Sequence, residues 1–224
     1  AFGQRCAKGP LSIWFWADSR QQLSGLSLAL MALLLALAVN VGVATMATFA
    51  EDLRTALGWL RRQPEIDPDR IVLVGHSVGA GAALFVAADD HAIAGVISVS
   101  SMAAPREFMA ERLRARLPGP LVRLAMRYVE HIIGHRFVEF SPLYTIGRST
   151  APVLLVHGAL DSTIPLADAE RLHARIPDRS TLLVLPEAGH ADFGSIHEGK
   201  PSLLRFLHDA GVLPGSTTMP KPQR

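Results

Sequence analysis

The 224 residues, 49% hydrophobic and 19% charged, are enough for one α/β domain with a sizeable core and too apolar for a disordered chain. A formal net charge of +2, spread along the chain, excludes the concentrated basic patch that nucleic-acid binding needs, so no nucleic-acid partner is expected. Cys6 is the single cysteine, which excludes an intrachain disulfide and suits a reducing, cytoplasmic compartment.

The stretch from Gln21 to Ala50 carries no charge and includes LSLALMALLLALAV, with Arg5, Lys8 and Arg20 before it. One reading is a membrane anchor, which would make the protein membrane-associated through residues 21–50. The other is a soluble parse, in which Leu11–Trp16 is a strand, Asp18–Gln22 a loop, Ser24–Met31 a helix, Leu33–Val39 a second buried strand and Asn40–Thr48 a loop. The soluble parse has an accounting argument behind it, because a parallel sheet needs strands upstream of residue 71 and only this region can supply them. Residues 1–10 read as a flexible terminus.

Glu51 to Gln63 has helical spacing, with Leu53, Ala56, Leu57 and Leu60 on one face, acids Glu51 and Asp52 at its start and Arg61 and Arg62 at its end, in accord with the helix dipole. Pro64 ends it, and Asp67-Pro68-Asp69 turns the chain into Ile71–Val74, a short aliphatic run of the kind buried on both faces. Gly75-His76-Ser77-Val78-Gly79 follows at once, then Ala80, Gly81, Ala82 and Ala83, which form a small-residue helix able to lie close to a sheet. Strand, G-x-S-x-G and helix in that order make a nucleophile elbow, where a serine sits in a strained turn and glycines two residues either side remove collisions. The bland reading is a glycine turn with an incidental serine.

Ile93–Val99 reads as the next buried strand, with Ser100 and Ser101 at its carboxyl end. Residues 102–149 then interrupt the alternation as a helical insertion, with helices expected at Pro105–Leu117 and Leu121–Ile133. In the second, Leu121, Val122, Ala125, Tyr128, Val129, Ile132 and Ile133 form one wide apolar face. That face either packs on the core or belongs to a cap lining an acyl pocket. His131 and His135 are spaced i, i+4 without an acidic third ligand, so no metal site is expected.

Pro152–Val156 is a further buried strand ending in His157-Gly158-Ala159-Leu160-Asp161, and Pro165–Ile176 is an amphipathic helix. Thr181–Leu185 is the last strand, ending in Pro186-Glu187-Ala188-Gly189-His190. Pro201–Ala210 closes the domain as a helix with Gly211 just past its end, and residues 212–224 read as a second flexible terminus.

Ser77, Asp161 and His190 therefore fall in loops at the carboxyl ends of three strands, the edge where open parallel sheets bind ligands. The order Ser, Asp, His, together with GHSVG, HGALDSTIP and EAGH, resembles the α/β-hydrolases over most of residues 11–211. The resemblance implies an α/β fold: a mostly parallel, doubly wound sheet with helices on both faces and a small helical cap insertion. It implies that Ser77 attacks, His190 moves the proton and Asp161 orients the imidazole, since a serine hydroxyl needs a base and the base needs a fixed tautomer. It makes the Val78 N–H the first oxyanion donor, with the Trp16 N–H nominated as the second. The chain departs from the family pattern at Trp14-Phe15-Trp16-Ala17, where relatives show His-Gly, and at Asn40-Val41-Gly42-Val43, where they often carry a polar loop. Asp168 and Asp192 are fallback acids. The bland readings make Asp161 a turn residue, His190 a surface histidine, His76 a packing residue beside the elbow and His157 a structural one.

The expected function is a serine hydrolase that cleaves a small-molecule carboxylic ester or related acyl substrate through an acyl-enzyme, with no metal or organic cofactor. Thioesterase and peptidase activity share the tetrahedral intermediate and stay open. A reading from another class is a membrane-tethered, catalytically impaired binding protein on a hydrolase scaffold.

Overall fold

The computed structural model describes residues 45–192 and 196–213. Trp16, the strands expected at 11–16 and 33–39, the helix expected at 24–31 and most of the 21–50 stretch lie outside the described residues. So do residues 1–10 and 214–224.

The described chain opens on helix α1, Met46–Leu60. Strand β1, Val72–His76, follows a single 3-10 turn at Pro68–Arg70, and helix α2 is Val78–Ala87. Strand β2 is Gly95–Val99. Four helices come next: α3 at Pro105–Arg114, α4 at Gly119–Ile133, and the single-turn α5 at Phe137–Phe140 and α6 at Pro142–Thr145. Strand β3, Val153–Gly158, helix α7, Leu166–Arg175, strand β4, Ser180–Leu185, and helix α8, Ile196–Asp209, complete it.

The four strands form one parallel sheet in the order β1-β2-β3-β4. Its register runs from Val72 opposite Gly95 to His76 opposite Val99, and from Val153 opposite Ser180 to Gly158 opposite Leu185. Neighbouring parallel strands cannot be joined by a tight turn, so each connection carries at least one helix. Alternation along the strands divides the apolar side chains between two cores. Leu73, Val96, Val153 and Leu155 pack with Leu57 of α1, Leu84 and Val86 of α2, Met126 of α4 and Leu172 of α7. Ile97, Leu154 and Val156 join Leu185 and Phe206 of α8. Helices thus cover both faces of β2 and β3, which explains why those strands read as continuous aliphatic runs. Strands β1 and β4 are only partly covered among the described residues, and Val74, expected in a run buried on both faces, is 69% exposed. Full burial of one such side chain, Leu154 for example, stabilises by about 1.5–3 kcal/mol.

Four expectations need correction. Helix α1 begins at Met46 because Thr45 and Thr48 form a capping box: Thr48 N–H donates to Thr45 Oγ1 at 3.2 Å and Thr45 N–H to Thr48 Oγ1 at 2.8 Å. Met46 and Ala47, expected in a loop, are buried, and so is Ala50. Strand β1 continues to His76 instead of ending at Val74, since the ladder with β2 persists to the elbow. Helix α8 starts five residues before Pro201, which lies inside the helix and not at its first turn. In α4 the buried positions are Val122 and Met126, with Val129 and Ile133 partly buried on the same side, while Leu121 is 49% and Tyr128 52% exposed. A face built on i, i+4, i+7 and i+11 is narrower than the seven-residue face expected. Val122, Met126, Phe137 and Phe140 belong to the main core, so the insertion packs on it.

Among the described residues no helix is long and apolar enough to cross a membrane.

Candidate active site

The ladder between β1 and β2 carries the chain rigidly to His76, and Ser77 then turns with φ 54° and ψ −117°. A β-substituted residue reaches positive φ at a cost, and here the surroundings enforce it. The Ser77 N–H donates to Val99 O at 2.9 Å, and the Ser77 carbonyl accepts from the N–H groups of Ala80 at 3.1 Å and Gly81 at 3.3 Å. A Cβ at Gly75 would stand 2.2 Å from Gly79 O, so only glycine allows the strand and helix to approach this closely. At Gly79 a Cβ meets nothing within 4 Å among the described residues, so the expected collision on that side is not seen there. Val78 is the first residue of α2, and its N–H therefore has no intrahelical acceptor.

Asp161 follows β3 in a turn that its own carboxylate organises. Oδ1 accepts from Thr163 N–H and Ile164 N–H, each at 2.8 Å, which leaves Oδ2 for His190 Nδ1 at 2.8 Å. Burial alone would push this carboxyl up. The Ile164 amide, the His190 ring and the Thr163 amide outweigh it and hold Asp161 below the usual carboxylate range, ionised at neutral pH.

His190 follows β4. Because the Asp161 carboxylate accepts from Nδ1–H, the neutral ring keeps its lone pair on Nε2, 3.1 Å from Ser77 Oγ. The loop bearing His190 is close to β3: a Cβ at Gly158 would stand 2.3 Å from Ala188 O. The structure thus brings Ser77, His190 and Asp161 into one hydrogen-bonded chain at the carboxyl edge of the sheet. A hydroxyl, a base and an orienting carboxylate in this order can generate a nucleophile at neutral pH.

Neither fallback acid hydrogen-bonds or ion-pairs with His190. Asp168 accepts from Ala103 N–H at 2.9 Å, and Asp192 accepts from Gly189 N–H at 2.7 Å. His157 is fully buried with Nε2 donating to Ile164 O at 2.9 Å, the structural role expected. Trp16 lies outside the described residues. No group of three histidines, cysteines or carboxylates among the described residues is placed to hold a metal. The cavity that touches His190, bounded by Ser100, Gly158, Ala188 and Asp192, is about 10 Å³, the scale of one water molecule and too small for an acyl chain.

Three features escaped the sequence reading. Ser100, at the carboxyl end of β2, also has positive φ, 49°, beside that cavity. Its only signal was a serine pair ending a strand. Gly158 is required by the approach of two loops distant in sequence, which no local pattern reports. The third is the contact of His76 with His190, described below.

The prolyl oligopeptidase family matches residues 45–208, the span that holds Ser77, Asp161 and His190. The chain belongs to this family. Its fold is that of the α/β-hydrolases, as the parallel sheet and its structural neighbours agree. An uncharacterized protein of Mycobacterium tuberculosis is 29% identical over 178 residues, 78% of this chain and 57% of that protein. The chain spans about half the length of the curated relatives it matches. Among solved structures it is similar to a puromycin-hydrolyzing peptidase of M. tuberculosis, with TM-score 0.57, 22% identity, 72% of this chain and 25% of that one covered. It is also similar to acetyl xylan esterase 1 of Thermoanaerobacterium, with TM-score 0.51, 19% identity, and coverage of 68% and 50%. At these identities the structural likenesses establish the fold alone.

Proposed function

We propose that the protein is a serine hydrolase that cleaves a carboxylic ester or related acyl bond through an acyl-enzyme, with Ser77, His190 and Asp161 as its catalytic triad. The observation that carries the proposal is the 3.1 Å contact of Ser77 Oγ with His190 Nε2, continued at 2.8 Å to Asp161. In this reading His190 takes the Ser77 proton as Oγ attacks the substrate carbonyl, and the ionised Asp161 stabilises the imidazolium. The oxyanion forms beside the start of α2, where the Val78 N–H is the first donor and the Trp16 N–H is proposed as the second. His190 passes its proton to the leaving group, and water, deprotonated by the same imidazole, then releases the acyl group and restores Ser77. No step calls for a metal or an organic cofactor.

A second reading, a peptidase, draws support from the match to the prolyl oligopeptidase family and from the fold shared with a puromycin-hydrolyzing peptidase. Amide cleavage needs the same groups with a poorer leaving group. Turnover of p-nitrophenyl acetate against aminoacyl and peptidyl p-nitroanilides separates the two: preference for the ester supports the first reading, and efficient anilide cleavage replaces it with the second. Absence of turnover on all three, together with no labelling by a fluorophosphonate, would favour a binding protein on a hydrolase scaffold.

A further inference from the structure

We infer that His76 is a positioning residue, holding the main chain of His190 so that the His190 ring stays aligned with Ser77; this role rests on the serine-hydrolase reading above. His76 is the last residue of β1, paired opposite Val99, so the sheet fixes its backbone. The next peptide is fixed as well, by the Ser77 N–H on Val99 O at 2.9 Å. From this rigid base the His76 ring reaches across the site, and its Nε2 lies 2.7 Å from the carbonyl oxygen of His190. A carbonyl only accepts, so Nε2 carries the hydrogen and His76 is the donor. The two imidazoles stand 4.9 Å apart between centroids at an angle of 48°.

The geometry around His190 explains what such a bond does. Its ring is held at Nδ1 by Asp161 and meets Ser77 at Nε2, but a ring on a loop can tilt about its own side-chain torsions unless the backbone beneath it is also held. The turn is tied at Gly189 N–H by Asp192 and at Ala188 O by Leu160 N–H. His76 secures the carbonyl of His190 itself, and does so from the residue adjacent to the nucleophile. Base and nucleophile are thereby referenced to the same point of the sheet. Misplacement of a reacting group by about 1 Å can cost about 100-fold in rate, so a bond that fixes this separation affects kcat more than substrate binding. A ring that merely filled space would not need its Nε2 on a carbonyl, and a phenyl ring would replace it.

The test compares wild type, His76→Phe, His76→Ala and His76→Gln, with Ser77→Ala as the inactive reference, on p-nitrophenyl acetate. Glutamine places an N–H donor close to where imidazole Nε2 stands; phenylalanine and alanine have none. The expected result is a kcat roughly tenfold or more below wild type for the Phe and Ala variants, with KM changed less than about twofold, and recovery of most of the loss in His76→Gln. Phe at wild-type kcat, or Gln as slow as Phe, overturns the proposal. If wild type and Ser77→Ala alike show no turnover of this ester, amide exchange across residues 186–192 decides the clamp by itself, and the hydrolase reading is judged separately by the anilides and fluorophosphonate labelling. Faster exchange in the Phe variant, reversed in Gln, supports it, and unchanged exchange overturns it.

Discussion

Ser77 Oγ and His190 Nε2 lie 3.1 Å apart although 113 positions separate the two residues in the chain. The carboxyl ends of β1 and β4 bring them together, with Asp161 arriving from the end of the strand between β2 and β4. The consequences can be tested one link at a time.

Asp161→Asn should lower kcat by roughly 10³ to 10⁴ with little change in KM, because an amide in place of Oδ2 can hold the wrong imidazole tautomer. Asp168→Asn should stay within a few-fold of wild type, since Asp168 accepts from Ala103 N–H, which an asparagine oxygen can do as well, and its ion pair with Arg171 at 3.6 Å does not involve His190. Steady-state kinetics on one ester checks both. Comparable losses in the two variants would show that the acid had been misassigned.

The depressed pKa of Asp161 has a definite sign for stability. A carboxyl held below its unfolded value contributes stability above that value and loses it as pH falls through the folded one. Urea unfolding of wild type and Asp161→Asn should therefore differ most near neutral pH. The gap should begin to shrink as pH drops past about 4, the ordinary Asp range, and go on closing below it. A gap that widens on acidification would contradict the hydrogen-bonded, ionised carboxylate.

Gly75→Ala and Gly158→Ala each place a Cβ within 2.3 Å of a backbone oxygen, of Gly79 and Ala188 respectively. Backbone cannot move aside as a flexible side chain can, so each should cost about 1–3 kcal/mol and most of the activity. Thermal melts and ester turnover read the two effects together. Full activity in either variant would mean the loops approach less closely than described.

Helix α4 offers a packing test. Met126 is 1% exposed within the main core and Leu124 is 64% exposed. Met126→Ala should destabilise by about 2–5 kcal/mol and Leu124→Ala by less than about 0.5 kcal/mol. Chemical denaturation distinguishes this from an insertion that stands away from the core, for which both costs would be small.

The sequence made the four described strands, the elbow and all three members of the hydrogen-bonded chain legible for one reason: their signals are local. Ile71–Val74 followed by G-x-S-x-G carries its geometry in a few residues, and Asp161 and His190 each sit one short loop past an aliphatic run. The start of α1 was misplaced because Glu51 and Asp52 look like a first turn, while the cap that operates is a pair of threonines whose reciprocal bonds carry no charge signal. The α4 face expected from the sequence is too wide because Leu121 and Tyr128 are apolar yet lie about a third of a turn from Val122 and Met126. Pro201 carries the usual signal of a helix start, yet it lies inside α8, which begins at Ile196. Gly158 and the His76 contact depend on loops that meet only after folding.

The most direct test of the central claim is covalent labelling of the native protein by a fluorophosphonate, followed by peptide mapping, in wild type and Ser77→Ala. The account predicts stoichiometric label on Ser77 in the wild type, none in Ser77→Ala, and matching circular dichroism melts for the two proteins. Label on another serine, or none in a folded wild type, would contradict it.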